Sequence, residues 1–131
     1  MIDTNVLLSA ALFPSGMAAR AYQSIAGAGH ALVVSDTVIA ELRGVAVRKF
    51  PARVNDMEVF IQRAAEFALI VQTPQAAVSD EARVRDPKDR PILRAAPAAG
   101  CEVLVTGDKD LLEAGITHPR VISPGRWLAP Q

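Results

Sequence analysis

Residues 102–111 read EVLVTGDKDL, and this stretch is the clearest guide to the fold. Glu102–Thr106 has the β-branched, apolar composition of a strand that is buried on both faces. Gly107–Asp110 follows as its exit loop, and Leu111–Ala114 predicts a helical turn. A short strand that leads through a loop into a helix is typical of an alternating α/β chain, so the same alternation is expected on both sides of it.

Strand and helix patterns do alternate along the rest of the chain. Short apolar runs predict further strands at Ala31–Val34, Ala68–Val71 and Val121–Ile122, with a strand remnant before Asp3. Spacings of three and four residues predict helices at Met17–Ala26, after a cap at Ser35 or Asp36, at Asn55–Phe67, and from Asp89 to a stop at Gly100. This order predicts an α/β protein with a parallel sheet covered on both faces. Residues 1–131 are expected to form a single domain.

The amino-acid composition narrows the classes of function that we expect for this chain. The chain carries 14 Lys and Arg and 14 Asp and Glu, so it has no net charge to hold a nucleic acid by bulk attraction. No apolar run approaches the roughly 20 residues that cross a bilayer, so no membrane contact is expected. Cys101 is the only cysteine, which fits a small buried side chain in a reducing cytosol, and no Cys/His cluster suggests zinc. Because no secretory leader is visible, we expect a cytoplasmic protein.

Four acidic residues stand where predicted strands end or helices begin. Asp3 follows the strand remnant, Asp108 follows the strand at Glu102–Thr106, Asp89 starts a predicted helix, and Glu41 lies about two turns into another. Taken singly, each could be a turn residue, a helix cap or a solvated side chain. Ligands of parallel sheets bind beyond the carboxyl ends of the strands, and there the four acids would meet. We therefore predict one acidic site.

Carboxylates gathered in this way repel one another. Two like charges roughly 4 Å apart cost about 4 kcal/mol at an effective dielectric of about 20. They must take up protons or bind cations, and a set of oxygen ligands suits Mg²⁺ or Mn²⁺. Divalent ions held by carboxylates, with positions left for water and phosphate, hydrolyse phosphodiester bonds. The four acids therefore favour a metal-dependent nuclease.

Four motifs along the chain resemble the PIN-domain family. They are DTNVLLSA at residues 3–10, SDTVIAEL at 35–42, RDPKD at 85–89 and VTGDKDL at 105–111. The chain is most similar to the toxin branch of the family, the ribonuclease half of VapC-like toxin–antitoxin pairs. This resemblance implies a three-layer α/β/α sandwich around a central parallel β-sheet, an endoribonuclease that depends on Mg²⁺ or Mn²⁺, and control by an antitoxin protein.

The resemblance also implies roles for single residues. Asp3, Glu41, Asp89 and Asp108 match the metal-binding and catalytic acids of the family. Asn5 and Thr106 match polar residues that hydrogen-bond the ligands or position water, and Asp110 matches an accessory acid.

The basic residues near this site have two interpretations. Arg43 lies on the second predicted helix, and Arg85 and Lys88 lie in the polar loop before the third acid. They are either solvated charges or a rim that contacts RNA phosphates. The apolar residues of the helices at Met17–Ile25 and Val38–Val47 have three interpretations: they pack in the core, form a homodimer, or contact an antitoxin.

Two other classes of protein compete with the nuclease. A non-enzymatic PIN-like module that binds protein is favoured by the short start, since only Met1 and Ile2 precede Asp3 and the central strand is clipped or begins upstream. The presence of all four acids argues against it. A phospho-receiver domain needs an acid pair after its first strand, whereas Thr4 and Asn5 follow Asp3 here. Proline within the last predicted long helix, at residue 97, is a second departure from a regular pattern.

Overall fold

Two pairs of parallel strands flank the backbone of residues 1–3 in the computed structural model, which describes residues 1–27 and 29–129. The strands are β1 (Val33–Ser35) with β2 (Leu69–Val71), and β3 (Val103–Val105) with β4 (Arg120–Ile122). Ile2 N–H donates to the Val33 carbonyl at 3.3 Å, and Asp3 N–H donates to the Val105 carbonyl at 2.9 Å. Residues 1–3 therefore join both pairs into one parallel arrangement.

Helices cover both faces of this arrangement. Those in the described residues are α1 (Thr4–Leu12), α2 (Met17–Gly27), α3 (Asp36–Lys49), α4 (Val54–Ala65), α5 (Ile92–Ala98), α6 (Lys109–Leu112) and α7 (Pro124–Leu128). α1 packs against α2 and α3, α2 packs against α7, and α3 packs against α4. All residues of β1 are buried, which requires cover on both faces because successive side chains of a strand point to opposite faces. The predicted α/β sandwich with parallel strands is confirmed.

Most predicted elements are present to within about two residues at each end. The sequence did not predict α1 or α7. α1 has apolar residues almost all around it and buries Thr4, Val6, Leu7 and Ala10, so it lacks the one-sided pattern of a surface helix. α7 has five residues, too few for a periodic pattern, although Ser123 caps it and Pro124 begins it.

The prediction that Asp89 opens a helix is wrong. Asp89 ends a short 3-10 turn, Pro87–Asp89, and α5 begins only at Ile92, after Pro91. Pro91 has no N–H group to donate to the carbonyl of Pro87, so α-helical hydrogen bonds cannot run on from the turn and begin only after Pro91. Asp89 consequently lies on an irregular segment rather than on a helix end.

The polar segment that leads to Asp89 is anchored to the core. It contains a second 3-10 turn, Ser79–Arg83, in which Glu81 is buried. Arg94 of α5 donates to both carboxylate oxygens of Glu81, at 2.9 and 2.8 Å. These hydrogen bonds from Arg94 lower the pKa of Glu81, so this carboxylate stays charged and holds the loop to α5.

The core surrounds the central strands. Ile2, Leu42 and Leu104 are among its most buried residues, and Cys101 is buried and free, as expected. A cavity of about 440 Å³ lies beside Met1, at the starts of β1 and β3. None of the helices in residues 1–27 and 29–129 combines the length and apolar character needed to span a membrane.

Pro97 offers a test of the boundaries of α5. It lies inside α5, where it cannot donate to the carbonyl of Leu93. Pro97→Ala should raise the free energy of unfolding by about 1–3 kcal/mol, measured by urea denaturation. Pro91→Ala is the matched control, because proline costs little at the start of a helix, and it should change stability much less. A less stable Pro97→Ala protein would show that α5 ends before residue 97.

Candidate active site

Asp3, at the end of the segment that joins the two strand pairs, is held by its backbone and its side chain together. Its Oδ1 accepts a hydrogen bond from Thr4 N–H at 2.8 Å, which caps α1, and its Oδ2 accepts from the Thr106 hydroxyl at 2.7 Å. Burial raises the pKa of Asp3, the hydrogen bonds from Thr106 and Thr4 oppose that rise, and the charge of Asp108 adds to it. Asp3 is therefore a fixed carboxyl group whose negative charge is poorly compensated.

Thr106 connects Asp3 to the loop after β3. Thr106 is fully buried, and its hydroxyl oxygen also accepts from Asp108 N–H at 3.0 Å. Asn5 contacts the same loop, because its Oδ1 accepts from Gly107 N–H at 3.2 Å. Asn5 and Thr106 thus fix the loop that carries Asp108.

Glu41 approaches the same place from α3. Ser35, which is fully buried, caps this helix by accepting from Val38 N–H at 3.2 Å. Glu41 then lines a small cavity of about 10 Å³ together with Asp3 and Asp89. Partial burial raises the pKa of Glu41, and the neighbouring charge of Asp3 raises it further. The cavity is about as large as one water-sized particle requires.

Asp89, Asp108 and Asp110 form the tightest acidic group in the described residues. One carboxylate oxygen of each lies within 4.8 Å of those of the other two. Burial raises the pKa of Asp89 from 3.8 to about 7, and a hydrogen bond to Asp108 and the charges of Asp108, Asp86 and Asp3 contribute to the rise. At pH 7, Asp89 is therefore protonated in about half of the molecules, and a bound cation would take the place of the proton.

The structure places the three predicted RNA-binding residues in different surroundings. Lys88 lines the small cavity beside the acids. Arg85 pairs with Asp110 at 2.9 Å, and its side chain is 88% exposed. Arg43 pairs instead with Glu58 at 2.8 Å on the exposed surface of α3 and α4. Lys88 and Arg85 are thus next to the acidic group, whereas the charge of Arg43 is already balanced elsewhere.

A family model described as the PIN domain matches residues 1–110. The chain belongs to the PIN domain family. No curated protein sequence matches it.

Solved structures support the fold of this PIN domain. It is similar to a chain in the crystal structure of VapBC2 from Rickettsia felis bound to a DNA fragment from their promoter, with a TM-score of 0.68 and 14% sequence identity. The match covers 93% of this chain and 95% of that chain. At this level of identity, the likeness supports the fold and does not by itself assign an activity.

The ligand atoms of this PIN domain fit a hard divalent cation. Asp3, Glu41 and Asp89 line one cavity, and the charge of Asp108 acts on both Asp3 and Asp89. The acidic group found in the described residues contains no cysteine or histidine. Such an oxygen-only set suits Mg²⁺ or Mn²⁺ rather than zinc. In addition, Thr4 Oγ1 is buried beside the site without a hydrogen-bond partner among the described residues, so a polar atom there is left unsatisfied.

The sequence did not predict three polar residues at this site. Thr4 and Thr37 lie beside the acids, and Asp86 adds to the charge around Asp89. A signal for Thr37 was present, because it precedes Glu41 by four residues and therefore lies on the same side of α3. Burial of the Thr4 hydroxyl depends on tertiary packing, which no local sequence pattern encodes.

The raised pKa of Asp89 predicts how stability depends on pH. Asp89 has a pKa of about 7 in the folded chain and an ordinary value of 3.8, so between these values the folded state binds more protons than the unfolded state. Stability from this proton is present below pH 4 or so and is lost as the pH rises through about 7. In a chelator, the free energy of unfolding should fall by about 1 kcal/mol between roughly pH 5 and 7.5, after allowance for solvent screening.

Asp89→Asn should flatten this dependence, because asparagine does not titrate. Urea denaturation at both pH values measures the difference for each protein. Asp80→Asn, which removes a charge from an exposed pair with Arg83, is the control and should keep the wild-type slope. Equal slopes for the wild type and Asp89→Asn would contradict the proton assignment.

Proposed function

We propose that this PIN domain is an endoribonuclease that depends on Mg²⁺ or Mn²⁺, and that it is the toxin of a cytoplasmic toxin–antitoxin pair. The observation that supports this most is the meeting of Asp3, Glu41, Asp89 and Asp108, which come from four distant parts of the sequence. Burial raises the pKa of Asp3, Glu41 and Asp89, and the charges of neighbouring acids add to the rise, so gathering these carboxylates costs folding free energy. Binding a cation offsets the repulsion between them.

The acids would hold the metal, and the polar residues would hold the acids. A bound divalent ion supplies a Lewis acid that lowers the pKa of water and stabilises negative charge on a phosphate. Asp3, Glu41, Asp89 and Asp108 would ligate it through carboxylate oxygens. The Thr106 hydroxyl donates to the Asp3 carboxylate and accepts from Asp108 N–H, so Thr106 fixes the positions of these two residues relative to each other. Asp89 would have to lose its proton to ligate the ion, so metal binding would compete with protonation.

Two basic residues near the acids are the proposed contacts to the RNA backbone. Lys88 lies at the cavity, where its charge would attract a phosphate toward the acids. Arg85 is solvent-exposed apart from its pair with Asp110, and exposed pairs of this kind contribute little stability. The Arg85 side chain can therefore leave Asp110 and pair with an RNA phosphate with little loss of folding free energy. Arg43 has the weakest case, because it pairs with Glu58.

The antitoxin and a second copy of the chain are the proposed protein partners. Most apolar residues of the two helices that suggested such contacts lie in the core, including Tyr22 of α2 and Leu42 of α3. Met17 and Val47 remain exposed on them, at 54% and 63%. These exposed side chains are the part of α2 and α3 that is open to a partner.

Metal binding is the first consequence to test. Millimolar Mg²⁺ or Mn²⁺ should raise the melting temperature at neutral pH, because cations bind the folded carboxylate site and not the dispersed acids of the unfolded chain. The rise should shrink in Asp108→Asn and remain in Asp80→Asn, which alters an acid outside the site. Differential scanning fluorimetry measures all three proteins. If neither ion changes the melting temperature of the wild-type protein, the proposal of a metal-dependent enzyme is contradicted.

Asp3→Asn tests the catalytic role. Asparagine keeps the size of the side chain and still caps a helix well, so folding should survive. Loss of one ligand charge should lower the rate of RNA cleavage in Mn²⁺ at least about 100-fold, or about 2.7 kcal/mol of transition-state stabilisation. Labelled structured RNAs, resolved on denaturing gels, provide the measurement.

Arg85→Ala is the comparison for RNA binding. It should weaken the binding of RNA in a salt-dependent manner without abolishing cleavage at saturating RNA.

Equal cleavage by the wild type and Asp3→Asn would exclude the mechanism. If the wild-type protein binds Mn²⁺ but cleaves no RNA, a PIN-like module that binds protein becomes the better account.

A further inference from the structure

The hydroxyl group of Thr4 is an unsatisfied polar group at the edge of the acidic site. Thr4 is the first residue of α1 and is only 8% exposed. Its Oγ1 is buried and has no hydrogen-bond partner of acceptable geometry within residues 1–27 and 29–129. A buried hydroxyl without a partner destabilises a folded protein, and most such groups in proteins are satisfied. Its position next to an acidic site therefore requires an explanation.

A neighbouring polar group that can explain it is the Glu41 carboxylate. The Thr4 hydroxyl lies close enough to Glu41 to oppose the rise in the pKa of that carboxyl group. Thr37, which lines the same cavity, differs in this respect, because its hydroxyl is 2.9 Å from the hydroxyl of Thr73. Thr106 is satisfied as well, through Asp3. Of these three threonines beside the acids, only Thr4 has a hydroxyl group that makes no hydrogen bond of good geometry within the part of the chain that the structure describes.

We propose that Thr4 is a positioning residue for Glu41: its hydroxyl donates to the Glu41 carboxylate when a divalent cation occupies the site. The inference rests on the proposed metal-dependent function. In the absence of the ion, the Glu41 side chain is partly exposed to solvent, and the Thr4 hydroxyl has no partner of good hydrogen-bond geometry among the described residues. With an ion bound, Glu41 would ligate it beside the other acids, and the hydrogen bond from Thr4 would fix the orientation of its carboxylate.

This proposal predicts opposite effects on the metal-free and the metal-bound protein. Thr4→Val keeps the shape of the side chain and removes only the hydroxyl. Without metal, Thr4→Val should melt at the same temperature as the wild type or higher, because an unsatisfied buried group has been removed. Its midpoint for Mn²⁺ binding should weaken about tenfold, as expected when a residue that orients a ligand is lost. Thr4→Ser, which restores a hydroxyl, should recover most of the affinity.

The experiment combines scanning fluorimetry in a chelator with a Mn²⁺ titration of the same proteins. Thr37→Val is the matched control: it loses a hydroxyl that already has a partner, so it should melt lower without metal. Thr4→Val with wild-type Mn²⁺ affinity, or with a clearly lower melting temperature in the chelator, would overturn the proposal. If the wild type itself binds no Mn²⁺, the proposed function fails first, so the two failures are distinguishable.

Discussion

The hydrogen bonds of residues 1–3 hold the two strand pairs together and place the first acid of the site at the same time. Ile2 bonds to β1 and Asp3 bonds to β3 through their backbone N–H groups. The Asp3 side chain then caps α1 and accepts from Thr106, so it has no freedom to turn away from the other acids. Because the sheet and the site share this segment, the fold cannot relieve the crowding of carboxylates by moving Asp3. The repulsion has to be met by protons or cations.

The rest of the site is consistent with that constraint. Burial and the neighbouring Asp108 raise the pKa of Asp89 to about 7, so a proton compensates part of the charge in the metal-free protein. Arg85 compensates Asp110, but an exposed ion pair of this kind contributes little stability. A divalent cation would compensate several acids together, which neither the proton nor Arg85 does. The geometry thus gives this member of the PIN domain family a physical reason to bind metal.

The sequence predicted the alternation of elements and the parallel strands because short apolar runs and spaced apolar residues report burial directly. It also predicted that acids at strand ends would lie near one another, and the structure brings Asp3, Glu41 and Asp89 to one cavity. It could not predict α1, whose residues are apolar on most sides, or the true start of α5, which Pro91 delays. The unsatisfied hydroxyl of Thr4 and the pairing of Arg43 with Glu58 depend on contacts between distant segments, which local patterns do not encode.

Counting the protons released when Mn²⁺ binds tests the central claim most directly. Isothermal titration calorimetry in buffers of different ionisation enthalpy gives this number at each pH. If the cation replaces the proton on Asp89, about one proton should be released per site near pH 6, and the number should fall toward zero well above the pKa of about 7. Binding that releases no proton at pH 6 would contradict the account, because the carboxylates would not then be competing for protons and metal.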